Sequence, residues 1–139
     1  MIAKIIEETK NAVVAAIEGT DDILSALRNT VKNQVTGALK DTGNIASTAT
    51  ESVGSVVAGA VEAVATTTAD LGSAAVSAVE GAVEAAGSVG VSVTDATSSA
   101  AMAAVSAAEK ISADAANTVK KALLSAVSLP REIIEKVIG

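Results

Sequence analysis

Aromatic side chains are absent from this chain of 139 residues, and so are histidine and cysteine. Each absence removes a class of function. Without cysteine there is no disulfide framework and no thiolate metal site. Without His or Cys the usual general base and thiol nucleophile are missing. No Gly-x-Ser-x-Gly, Ser-x-x-Lys, Gly-x-Gly-x-x-Gly or phosphate-loop pattern takes their place. Gly87-Ser88-Val89-Gly90 is glycine-rich but has no lysine and no strand pattern before it. Glu80 and Glu84, one helical turn apart, read as a solvated acidic face rather than a cation site. Base stacking has no aromatic platform, and residues 41–109 hold eight acidic side chains and no Lys or Arg. The expectation is a protein that is not an enzyme, carries no cofactor or metal and binds no nucleic acid.

Long hydrophobic runs are also lacking. The nearest, Ala96 to Ala108, is interrupted by Thr97, Ser98, Ser99 and Ser106, so no membrane span is expected. The first eight residues, Met1 to Glu8, have no uninterrupted apolar core of the signal-peptide kind. A cytoplasmic location is expected, with peripheral membrane association as the variant.

Half of the residues are apolar, but most of these are Ala and Val. A core of such small side chains buries little area per residue, at about 25 cal/mol per Å². It must be long and closely packed to offset chain entropy. The sequence has a device for this, a repeat of 11 residues. Gly59-Ala60-Val61-Glu62-Ala63 returns as Gly81-Ala82-Val83-Glu84-Ala85, two steps of 11 later. Steps of 11 from Ile5 meet only apolar residues to the end of the chain, among them Ala16, Leu27, Ala60, Leu71, Val93, Ala104 and Val137. The steps from Ile2 are largely apolar, through Val13, Leu24, Val35, Val57, Val79, Leu123 and Ile134. The steps from Glu7 and from Asn11 contain nothing aliphatic. Eleven residues over three turns is about 3.67 per turn, close to an α-helix. The apolar columns cover an arc of about 130° on one side of such a helix. The sequence predicts an all-α protein.

The phase continues without insertion from one end to the other, and the expectation is one continuous helical domain over 1–139. A single hairpin near 41–44 or 87–95 is the alternative. Lys40-Asp41-Thr42-Gly43-Asn44 is turn-like, and Gly87 to Asp95 combines two glycines with β-branched residues. Thr20-Asp21-Asp22 resembles a helix cap, but the columns run through it and favour a continuing helix. Pro130 marks a kink or restart at 128–131, with Ser128 as cap and a short amphipathic segment at 131–139. Gly37, Gly59 and Gly81 share one column, where small residues let helix backbones approach; repeat duplication copying a glycine is the other reading.

The ungapped repeat resembles that of hendecad coiled coils. The resemblance implies an elongated bundle with a right-handed or nearly straight supercoil, often a tetramer. So wide an apolar arc wants more than two helices around an axis, and a tetramer is expected before a trimer. The chain also looks like the 11-residue lipid-surface helices of synucleins and perilipins and like group 3 late-embryogenesis-abundant proteins. It departs from them in having no Lys between Lys40 and Lys110.

The leading expectation is a structural, self-associating protein whose partner is itself. Its association core is taken as Ile2, Ile5, Val13, Leu24, Leu27, Val31, Val35, Val53, Val57, Val64, Leu71, Val79, Val93, Leu123, Ile134 and Val137. The alternative is an amphipathic helix that protects under stress or lies on lipid or another apolar surface.

Overall fold

The computed structural model describes residues 2–18, 22–42, 46–65 and 70–138. It is all-helical among these residues. Seven helices follow in order: α1 (Ile2–Ile17), α2 (Ile23–Thr42), α3 (Ala46–Val64), α4 (Leu71–Ser88), α5 (Val93–Ile111), α6 (Ala113–Ser125) and α7 (Arg131–Ile138). The helices are short and packed as a bundle, so the expected continuous helix gives way to repeated reversals of the chain. One candidate hairpin, 41–44, coincides with the end of α2, its residues 43 and 44 lying outside those described. The other, 87–95, holds the α4–α5 turn.

Local chemistry shows why the chain reverses where periodicity alone would let it run on. Asp22 caps α2 by accepting a hydrogen bond from the Ser25 amide at 3.1 Å. The cap reading, not the continuing helix, is the one the structure adopts there; Thr20 and Asp21 lie outside the described residues. Asp70 caps α4, accepting from the Gly72 amide at 3.1 Å and the Ser73 hydroxyl at 2.8 Å. Ser92 accepts from the Asp95 amide at 3.3 Å at the start of α5. Ser112 alone joins α5 to α6, extended at φ −171° and ψ 164°, and accepts from the Ala115 amide. Short polar side chains of this kind satisfy amides that a helix start leaves open. Gly90, at φ 86°, closes α4 in the left-handed region that a side chain disfavours. Pro130 directly precedes α7, and its carbonyl accepts from the Ile133 and Ile134 amides.

Packing follows a rule of alternation. Each helix packs on its chain neighbour and, in most of the chain more extensively, on the helix two further along: α1 on α3, α2 on α4, α3 on α5, α4 on α6 and α5 on α7.

The repeat persists through the turns because a helix with its turn takes about two steps of 11. Successive helix starts lie 18 to 25 residues apart. Val13, Val35, Val57, Val79, Ala101 and Leu123, one from each of α1 to α6 at steps of 22, are all 1% exposed or less. Of the intervening members, Leu24, Gly90 and Ser112 fall at helix starts or turns and are exposed, whereas Ile134, only 11 residues beyond Leu123, is buried in α7. The structural unit is therefore two hendecads long.

The glycine column shows how closely α1 packs on α3 and α2 on α4. A Cβ at Gly59 would lie 2.5 Å from the carbonyl oxygen of Ile6 in α1. One at Gly81 would lie 2.5 Å from the carbonyl oxygen of Arg28 in α2. The second contact is the first moved along by 22 residues. Gly37, one unit earlier, is exposed and would meet nothing within 4 Å. Gly81→Ala should therefore lower stability by about 1–3 kcal/mol, because backbone must shift to admit the methyl group. Gly37→Ala should raise it by about 0.5–1 kcal/mol through helix propensity. Urea titrations followed by far-UV circular dichroism read both, and equal effects at the two sites would contradict this geometry.

Candidate interaction surface

The residues expected to form an association core divide by their place in the chain's own packing. Val13, Leu27, Val31, Val35, Val53, Val57, Val64, Val79, Leu123 and Ile134 are buried within the single chain. Ile5, Leu71 and Val137 are partly buried against that core. Leu24, 40% exposed, and Val93, 45% exposed, are on the surface. Both stand at the first turn of a helix. Ile2 lies in α1, but its side chain is outside those described. Burial inside one chain is a different matter from burial between copies. What it establishes is that most of the stripe is already occupied by neighbouring helices.

The other large exposed apolar side chains are Val14, Val89, Met102, Ile111 and Val127. Apart from Met102, in the middle of α5, they sit near helix ends or in the α6–α7 turn. The sequence reading did not single them out. Met102 and Val14 fall outside the main apolar columns, and a count of steps from Ile5 or Ile2 cannot find them.

Across the α2–α4 contact the polar groups are arranged as closely as the backbones. Glu84 accepts from the Arg28 guanidinium at 2.8 Å through one oxygen and from the Lys32 ammonium at 3.0 Å through the other. The pair is about half exposed, so its worth is modest and sensitive to salt. It answers the sequence question about Glu80 and Glu84: the Glu84 carboxylate is engaged by two cations of another helix. Hydrogen bonding from Lys32 and then Arg28 lowers the Glu84 pKa below its ordinary value. Hydrogen bonding from Ser25 likewise lowers that of Asp22. Among the described residues no group of three or more acidic side chains is placed to hold a metal ion.

Among the described residues one buried side-chain polar group is unsatisfied. The Thr9 hydroxyl, on a residue 0% exposed, has no hydrogen-bond partner. Thr97, in the equivalent place on α5, donates to the Val93 carbonyl at 2.7 Å. At the same place in α2, α3 and α6 stand Val31, Val53 and Val119, each 0% exposed.

Comparison with protein-family models, with curated proteins and with solved structures found no match. The architecture alone describes the chain, a bundle of short helices among the described residues.

Two outcomes are expected from these contacts. Thr9→Val should raise stability by roughly 1 kcal/mol, since it removes a buried hydroxyl without a partner while keeping the shape; a urea midpoint that falls would show the hydroxyl to be satisfied. Glu84 has a depressed pKa in the fold, so its contribution is present above the unfolded-state value and is lost as pH falls through the folded one. The melting-temperature difference between wild type and Glu84→Gln should be present at neutral pH, vanish in acid and shrink with added salt. A difference independent of pH and salt would refute the ion-pair account.

Proposed function

We propose that this chain is a non-catalytic structural protein that associates with further copies of itself. The recurrence of one buried position per helix at steps of 22 residues carries the reading. Each helix offers the same face to the helix two further along. A helix of one copy can therefore take the place of its equivalent in another, the logic of repeat arrays and of domain exchange. Leu24 and Val93 are the members of the predicted association core left on the surface for contact with a second copy. The 11-residue phase also crosses the turns unbroken. A chain opened at its turns would keep one apolar stripe, as an elongated hendecad coiled coil requires, right-handed or nearly straight and a tetramer before a trimer. A cytoplasmic location is part of the same proposal.

A second reading, an amphipathic helix that folds on lipid or another apolar surface, draws on α7. There Ile134 is buried and Ile133, Val137 and Ile138 are half-buried, while Arg131, Glu132, Glu135 and Lys136 are exposed. No helix among the described residues is long and apolar enough to cross a membrane.

Light-scattering mass combined with small-angle scattering over a concentration series tests the leading reading. The expected result is a mass that is a multiple of the single chain. A folded single chain has a radius of gyration of about 14 Å, whereas an opened helix is roughly 200 Å long at 1.5 Å per residue. A compact single chain at every concentration would overturn self-association. Helicity that emerges only with vesicles or on drying would favour the second reading.

A further inference from the structure

We propose that the cleft between α5, α6 and α7 binds a single-chain amphiphile with an anionic head, of the fatty-acid type. α7 packs on α5 but has 8 residues against 19, about 12 Å against about 28 Å. Its last residues, Lys136, Val137 and Ile138, line the cleft together with Met102, Val105, Ser106 and Glu109 from the C-terminal half of α5. The space is about 470 Å³ and opens broadly to solvent.

The lining has the two halves that such a ligand needs. Met102 and Val105 of α5 with Val137 and Ile138 of α7 supply an apolar wall, and Lys120 of α6 with Lys136 of α7 supply the cations. Met102, Val105, Ser106 and Glu109 are spaced along one face of α5. Neither lysine, nor Glu109, makes an ion pair among the described residues. Two ammonium groups against one carboxylate leave an excess positive charge beside an apolar wall. Met102 is 51% exposed, and its flexible thioether adapts to an alkyl chain. A neutral ligand would leave the lysines unanswered, and a small anion would leave the apolar wall wet. The inference goes beyond the proposed structural role and does not depend on self-association.

Isothermal titration calorimetry with dodecanoate, below its micelle concentration, tests it, with dodecanol and inorganic phosphate as controls. Saturable binding with one site per chain is expected for dodecanoate, at least tenfold tighter than for either control. Replacing both lysines (Lys120→Glu with Lys136→Glu) should weaken binding tenfold or more, and so should Met102→Glu, with the helical dichroism of each variant unchanged. Methyl chemical-shift changes in the wild type should centre on Met102, Val105, Val137 and Ile138, a readout that stands even where a variant does not fold. Absence of saturable binding, equal binding of dodecanol or phosphate, or shifts centred elsewhere would overturn the proposal. The solution mass reports separately on self-association, so the two ideas can fail independently.

Discussion

The bundle depends on close approach between helices two apart in the chain. Dispersion falls away within an ångström of the contact distance, and Ala and Val side chains cannot reach across a wide gap. A chain with no aromatics must bring its backbones together instead. Gly59 over the Ile6 carbonyl and Gly81 over the Arg28 carbonyl are where this is closest. The Ser99 hydroxyl, donating to the Thr50 carbonyl at 2.7 Å, ties α5 to α3 in the same manner. The Arg28–Glu84–Lys32 cluster then lies at the level of the Gly81 contact and adds direction to a surface otherwise made of small groups.

Repetition follows from that constraint. If α1 and α3 meet through a given set of positions, the sets on α2 and α4 work equally well when displaced by one unit. The columns at Val13 and at Thr9 show this for six helices in succession. Departures from the unit are informative. The Thr9 hydroxyl is a polar group in a column that elsewhere holds Val, Ala or a satisfied Thr. Gly37 keeps the glycine of its column on a face where no helix of this chain is seated. α7, introduced by Pro130, is shorter than the other helices described and lines one side of the cleft beside α5.

The association core was legible in one sense and hidden in another. Steps of 11 found residues that pack, and ten of the sixteen are buried in the chain itself. The steps could not say whether the partner surface belongs to the same molecule or to another, because identical columns pack in either setting. Leu24 and Val93 show the limit clearly. Each has the right residue type in the right column, but a cap or turn just before it places it at the rim. The caps had a signature, with Asp22, Asp70, Ser92 and Ser112 each beginning a helix. Of these only Asp22 belongs to a segment that the sequence analysis weighs as a cap, and there the unbroken phase favours a continuing helix; a turn need not disturb a period when helix and turn together span two repeats.

By itself the sequence determined that this chain is helical, which side of each helix is apolar, and that histidine and cysteine are absent. These follow from residue type and from a period close to 3.6. Only the tertiary structure decided how many helices there are, which alternate members of a column are buried, and that helices two apart are the principal partners. Those outcomes rest on contacts between residues some fifty positions apart, such as Gly81 with Arg28. A repeat records the spacing of equivalent positions, whereas the choice of partner depends on where each chain reversal returns them.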